Sequence, residues 1–300
     1  MSIFKSGYVS VVGLPNVGKS SLVNSLVKES VSIVTSKPQT TRKRTLGILT
    51  EPGRYQIIFV DTPGVTDSDV GLNSFLKQEL SAALRDVDVI IAAIGPWEFE
   101  STELPWVLKM YSQYKRPVFF VITQIDKLNI RKENIAAKWS TWIQDHSLAQ
   151  PLRLHFTSSR SGEGLDGLKE MILGALPFGP QYYDPEIYTT QTMRELTNEV
   201  IRKYCFERLF QEIPYGLAVV IRSFEEGPIL KIAADIIVSK EGHKGMVVGQ
   251  GGRSLKEIGI KSRMELEQIF ETKVFLKLHV VAKPWLKDRY LLEELGYVAQ

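Results

Sequence analysis

The sequence predicts an α/β chain, a mostly parallel sheet covered by helices on both faces, followed by a smaller α+β domain. Three observations carry that reading. A glycine-rich octet, Gly13-Leu14-Pro15-Asn16-Val17-Gly18-Lys19-Ser20, lies between a short β-rich stretch and a helical one. Short apolar segments then alternate with amphipathic ones as far as residue 176, the pattern of strands joined by crossover helices. Beyond a cluster of prolines the order of elements changes.

The chain is long enough for both domains. It has 300 residues, 44% of them hydrophobic and 24% charged, so it can build ordinary cores. A net charge of +3 is too small to name a partner, and the location of the charge matters more. One cysteine, Cys205, excludes an internal disulfide framework and suits a reducing compartment. Its neighbours Leu196, Val200, Tyr204 and Leu209 predict a packed core thiol. The start, Met1 to Lys5, lacks the apolar stretch of a signal peptide. The most apolar run, Val87 to Ile94, contains Asp88 and is too short to span a bilayer, so it reads as a buried strand.

In order, Tyr8 to Val12 is the first strand, and Ser21 to Val27 is a helix with Leu22, Val23 and Leu26 on one face. Strands follow at 57–60, 89–94, 118–122 and 152–157, and helices at 73–84, 102–114, 134–144 and 165–176. This first domain is expected over 1–177. Pro177, Gly179, Pro180 and Pro185 mark a linker over 178–191. The second domain, 192–300, reads as a helix (192–210), strands at 217–223 and 230–238, a short helix (244–248), a long one (255–270) and a strand at 273–281.

The octet reads G-x-x-x-x-G-K-S, the P-loop pattern, in the strand–turn–helix context that gives it meaning. A glycine turn lets backbone N–H groups surround phosphate oxygens, and the next helix offers its positive end. Lys19 is placed to reach the β- and γ-phosphates, and the Ser20 hydroxyl to ligate Mg²⁺. Asp61-Thr62-Pro63-Gly64 follows a strand. Its carboxylate suits Mg²⁺ through water, and Gly64 lets a backbone N–H approach a γ-phosphate. Between these motifs, Pro38 to Arg44 has no apolar residue, and either Thr40 or Thr41 could complete the metal shell.

These motifs resemble the Era family, in the translation-factor branch of Ras-like GTPases. The resemblance implies a GTPase that binds GTP or GDP with Mg²⁺. It makes Lys19, Thr41 and Gly64 the catalytic set, with Thr41 in switch I and Gly64 opening switch II. Ser20, Thr41 and Asp61 become the metal ligands. Gly13, Asn16, Val17, Gly18, Lys19, Ser20 and Ser21, with Asp61 to Gly64, line the nucleotide. Val65 stands where Ras-type enzymes carry a water-positioning glutamine, so hydrolysis is expected to be slow without a partner or ion. Asn16 either faces a K⁺ ion beside the phosphates or merely caps the turn. The family reads guanine with Asn-Lys-x-Asp, whereas this chain has Thr123-Gln124-Ile125-Asp126. Asp126 still accepts from guanine N1–H and its amino group, and Thr123 can still tether loops. Gln124 brings no charge, so guanine specificity with weakened affinity is expected. Ser158 and Ser159 match the family's second base-contacting loop.

Gly249-Gln250-Gly251-Gly252 joins two helical stretches beside strands, the arrangement of a KH domain. Lys244, Gly249, Gln250, Gly251, Gly252 and Arg253 are the expected RNA contacts, with Val247, Val248, Leu255 and Ile258 as apolar groove walls. From Lys240 to Arg289 there are eleven basic and six acidic residues, an excess larger than the net charge of the whole chain. Gln250 departs from the lysine usual in the family. The resemblance covers nearly the whole chain, including the tail Trp285 to Tyr297. It implies a type II KH domain that binds 16S ribosomal RNA near its 3′ end and assists assembly of the 30S subunit. It also implies a cytoplasmic monomer with peripheral membrane association. An RNA-binding module with a decayed GTPase site is the alternative, motivated by Thr123-Gln124 and Val65. A P-loop kinase has no place for the Asp-Thr-Pro-Gly motif and the KH turn together.

Overall fold

The structure is a computed structural model and describes residues 4–35, 37, 40–64, 72–98, 105, 115–128, 132–145, 154–295 and 297. The chain forms two compact units. One comprises Met1–Ser32, Thr41–Ser68 and Leu76–Thr190, the other Ile33–Thr40, Asp69–Phe75 and Gln191–Gln300.

The first unit is built on a six-stranded sheet. Its strands are β1 (Lys5–Val12), β2 (Thr45–Glu51), β3 (Tyr55–Asp61), β4 (Val89–Ile94), β5 (Val118–Ile122) and β6 (Leu154–Phe156). The order is β2-β3-β1-β4-β5-β6, parallel throughout except that β2 runs antiparallel to β3. Strands β3 and β4 are buried along their whole length, which is why they read as continuous apolar runs rather than alternating ones. Helices are α1 (Lys19–Val27), α2 (Leu72–Arg85), α3 (Lys132–Asp145) and α4 (Leu165–Ala175). Val11, Leu22, Phe59, Ile91, Trp139 and Leu168 meet in one fully buried core.

Strand β2 has no counterpart among the sequence expectations, because Gly47 breaks its apolar period. A Cβ at Gly47 would stand 2.9 Å from Val23 Cγ1 and 3.0 Å from side-chain carbons of Val27 and Val31. The glycine lets the edge strand close against α1. The helix expected over 102–114 lies outside the described residues except at 105. Residues 178–190 count with the first unit. The Gly179 N–H donates to Phe4 O (3.1 Å), and those of Tyr182 and Tyr183 donate to Gln56 Oε1 (2.8 and 2.9 Å).

The second unit holds α5 (Met193–Arg208), β7 (Leu217–Glu225), β8 (Ile229–Val238), α6 (Gly242–Val248), α7 (Arg253–Ile269), β9 (Lys273–Ala282) and α8 (Arg289–Glu294). Strand β8 is central, antiparallel to β7 and parallel to β9. Helix α5 starts in a capping box, with Thr192 and Glu195 satisfying each other's backbone N–H groups. Ile201, Cys205, Val219, Ile236, Val247 and Ile258 form the core between helices and sheet. Cys205 is fully buried, and burial pushes its thiol far above the usual range, so it is inert packing as the sequence predicts.

Candidate functional site

Strand β1 occupies the middle of the first sheet, with β3 on one side and β4 on the other. The order of the strands reverses there, the place where open α/β sheets bind ligands. The octet begins where β1 ends. A Cβ at Gly13 (φ 153°) would stand 2.2 Å from the Ala93 carbonyl oxygen, so only glycine passes β4 at that point. Gly18 (φ 92°) is left-handed and opens α1, with Val17 buried behind it.

Lys19 folds back over this turn, its Nζ donating to Gly13 O (3.1 Å) and Leu14 O (2.9 Å). Burial pushes its pKa down to about 8, against the opposing pull of Asp61 and Glu98. Asp61 ends β3 with no solvent exposure. Burial pushes its carboxyl up, while Ser20, Lys19 and Ser32 oppose the shift. Those hydroxyls face the carboxylate, yet neither oxygen accepts a hydrogen bond of normal geometry among the described residues. A buried carboxylate in that condition is costly unless a cation joins it.

The Ser20 and Thr41 hydroxyls are 2.9 Å apart. The Thr40 hydroxyl turns elsewhere, to Lys37 O (2.8 Å) and Thr35 Oγ1 (2.7 Å). Ser20, Thr41 and Asp61 therefore offer two hydroxyls and one carboxylate. A hard cation that keeps waters and takes phosphate oxygens suits that set. No cluster of three His, Cys, Asp or Glu exists among the described residues to hold a metal by protein alone. Thr62 Oγ1 donates to Val11 O (2.7 Å) and ties the turn after β3 to β1. Pro63 and Gly64 are buried, and a Cβ at Gly64 would stand 2.8 Å from Pro15 Cα, so the backbone at 64 passes close to the octet. Val65 lies outside the described residues. Ser21, half-buried, continues α1.

At the other end of the loop, Thr123 is buried and its hydroxyl is shared between Val17 O and Ile94 O, the latter at 3.2 Å. Gln124 stands left-handed (φ 54°) and donates from Nε2 to Asn16 O (2.7 Å). Asn16 is itself left-handed (φ 65°). The two departures from the family's base motif thus both grip the backbone of the phosphate loop. Asp126 is exposed, with Oδ1 accepting from Ser158 Oγ (2.7 Å). Ser159 O accepts from Ser25 Oγ (3.2 Å), joining that loop to α1.

Sequence reasoning missed Lys127. It donates to Gln124 Oε1 and lies 5.6 Å over the exposed Trp97 ring. The charge absent at position 124 returns three residues later, and only the 3₁₀ turn of Ile125–Lys127 makes that visible. Thr123→Val keeps the volume but strips the hydroxyl. It should weaken GTP binding about tenfold, since one buried hydrogen bond is worth about 1 kcal/mol or somewhat more. Calorimetric titration beside a thermal melt checks that the fold survives.

In the second unit, Gly249 (φ 72°), Gly251 (φ 60°) and Gly252 (φ 78°) make the turn between α6 and α7. A Cβ at Gly249 would stand 2.7 Å from Ser254 Cβ, whereas at Gly251 and Gly252 it would meet nothing within 4 Å. One side of the turn is packed and the other is open. Gln250, Gly251 and Arg253 are exposed there, and Lys244 pairs with Glu241 at 3.0 Å on the surface. Two of the expected groove walls are corrected. Val247 and Ile258 have no exposure and belong to the core, because they sit on the sheet-facing sides of their helices. Val248 and Leu255 are half-buried, and the exposed apolar side chains of α6 and α7 are Met246, Ile260 and Met264.

Comparison with known proteins agrees with both halves of this geometry. Residues 8–124 match the family described as 50S ribosome-binding GTPase, and residues 212–286 match the KH domain. GTPase Era of Geobacter metallireducens is 36% identical over 298 residues, covering 98% of each chain. The chain belongs to the Era family of GTPases. Era of Geotalea uraniireducens is 37% identical over the same length. Two solved Era structures superpose with a TM-score of 0.92. One, from Aquifex aeolicus, is bound to GDP and AlF4⁻, with 33% identity over 98% of this chain and all of that one. The other holds MgGDPNP and nucleotides 1506–1542 of 16S ribosomal RNA, with 32% identity over 99% of this chain. The chain is therefore an Era-type GTPase with a Ras-like domain and a C-terminal KH domain.

Proposed function

We propose that this protein is a Mg²⁺-dependent GTP switch that binds the 3′-terminal region of 16S ribosomal RNA and assists 30S subunit assembly. The observation that carries the nucleotide half is the buried, unpartnered Asp61 carboxylate beside the Ser20–Thr41 hydroxyl pair and Lys19. Ser20, Thr41 and Asp61 are the residues that would hold the metal. When bound, Mg²⁺ neutralises charge on the β- and γ-phosphates. Lys19 exchanges its two loop carbonyls for phosphate oxygens. The Gly64 N–H faces the γ-phosphate, as does Thr41. A triphosphate thus orders two segments at once, and hydrolysis releases both. Asn16 is the residue that would hold a K⁺ ion beside the phosphates.

The RNA half rests on the open glycine turn and the basic excess of residues 240–289. The solved Era complex with a 16S fragment supports the choice of RNA. Residues 1–177 and 192–300 are the proposed GTPase and KH domains, joined by 178–191. We place the protein in the cytoplasm as a monomer. No described helix is long and apolar enough to cross a membrane, and peripheral association rests on the family resemblance alone.

Titration of GTP, ATP and XTP by calorimetry tests the base site. Asp126 accepts from the N1–H and amino group of guanine, while adenine presents an acceptor at N1 and xanthine replaces the amino group with a carbonyl. GTP should bind at least about tenfold more tightly than either, as expected when a charged hydrogen-bond acceptor loses its donors on the base. Equal binding of ATP would end the guanine reading.

A further inference from the structure

Thr41 is joined to Thr40 by a peptide group whose carbonyl oxygen accepts a hydrogen bond from Arg202 Nη1. Residues 33–40 and α5 belong to the same compact unit, so this bond lies inside it. Arg202 has no solvent exposure. Its Nε donates to Glu199 Oε1 (3.2 Å) and its Nη2 to Glu199 Oε2. That forked pair fixes the plane of the guanidinium and leaves Nη1 for Thr40. Lys37, three residues earlier, donates to Phe206 O and Leu209 O, carbonyls at the C-terminal end of α5. Its ammonium also lies 5.0 Å over the Phe210 ring. The segment is therefore fastened to α5 at two points, and Thr40 closes it locally through Lys37 O.

A peptide group is planar, so fixing the Thr40 oxygen also fixes the direction of the Thr41 N–H and Cα. Thr41 Oγ1 lies 2.9 Å from Ser20 Oγ. A single peptide group thus carries the Arg202 bond on one side and the metal-site threonine on the other. Helix α5 reaches α7 through Glu265, which accepts from Lys203 Nζ (2.9 Å) and Tyr204 Oη (2.5 Å). Helix α7 begins at the glycine turn.

We propose that Arg202 is a positioning residue for Thr41, holding the Thr40–Thr41 peptide in the orientation that brings Thr41 to the metal and γ-phosphate. This rests on the switch reading above and names the residue that fixes the peptide group preceding Thr41. The linkage is reciprocal: what stabilises Thr41 at the nucleotide stabilises the Arg202 bond, and the converse holds equally.

The test is a double-mutant cycle in the full-length chain, with Arg202→Lys, Thr41→Val and the pair, each titrated with Mg²⁺-GMPPNP and Mg²⁺-GDP. Lysine keeps the charge but cannot fork to Glu199 and reach Thr40 together. Arg202→Lys should weaken the analogue about tenfold, the worth of one charge-assisted hydrogen bond, and leave GDP within about twofold. With Thr41→Val already present, Arg202→Lys should change neither ligand, because the two residues act in series. Equal losses for both nucleotides, or a full Arg202→Lys effect without Thr41, would show a merely structural arginine and overturn the proposal. Lys37→Met supplies a second variant on a partly exposed side chain, should a thermal melt show Arg202→Lys unfolded. It should give the same analogue-selective loss at smaller size, and no selective loss would count against the proposal. Affinity of the wild type for a 16S 3′-end oligonucleotide in both nucleotide states separates the two ideas. Equal affinity ends the switch reading, while the cycle still decides the role of Arg202.

Discussion

Lys19→Ala is expected to abolish measurable GTP and GDP binding while leaving the affinity of the full-length protein for a 16S 3′-end oligonucleotide equal to that of the nucleotide-free wild type. Lys19 is buried at the phosphate loop and its ammonium is held against the carbonyls of Gly13 and Leu14. After the Ser20 hydroxyl, its charge is the next group that offsets the burial of Asp61 from within the chain. Without it, phosphates entering the loop would meet the Asp61 carboxylate without the lysine that opposes it. Removing one partner of a buried charge pair costs 2–5 kcal/mol or more, so affinity should drop by about a hundredfold or beyond. Calorimetry reads the loss, and a thermal melt checks that α1 survives a change to a better helix former. Retention of GTP within about threefold of wild type would remove Lys19 from the site. RNA affinity below that of the nucleotide-free wild type would show that the two activities are not carried by separate residues.

Gly251→Asp should do the reverse. Position 251 is left-handed at φ 60°, a conformation that aspartate tolerates better than most residues. A Cβ there meets nothing within 4 Å, so the fold should stand. The added carboxylate enters the open side of the turn, where a phosphate backbone would approach the glycines. Lost close approach and new repulsion together should lower RNA affinity about a hundredfold, and the deficit should shrink as salt rises. Gly251→Ala separates the two causes: it adds the side chain without the charge and should lose less. Filter binding of a labelled 16S 3′-end oligonucleotide measures both. Unchanged RNA affinity in Gly251→Asp would move the contact away from the turn. Unchanged GTP affinity is expected in both variants.

Much of the nucleotide site is legible because its residues are close in sequence and their meaning is local. The octet must follow a strand and open a helix, and Asp61 must end a strand, and periodicity reveals both contexts. The α5–β7–β8–α6–α7–β9 order and the glycine turn are legible for the same reason. Strand β2 is not, since Gly47 interrupts its pattern and the need for that glycine comes from α1, some twenty residues earlier. The groove walls misread Val247 and Ile258 because an apolar residue beside a glycine turn does not announce which side of its helix meets the sheet.

Apart from β2, the order of the described strands and helices, the phosphate loop, the carboxylate at the end of β3 and the glycine turn were set by the sequence alone, through spacing and backbone permissiveness that act over a few residues. Three matters needed the tertiary structure: that Thr41 rather than Thr40 faces Ser20, that Gln124 joins Thr123 in gripping the phosphate loop, and that Arg202 holds the peptide before Thr41. Each is a hydrogen bond between side chain and neighbour 21 to 162 positions apart. The direction of a donor over that separation is fixed by packing, which no local pattern encodes.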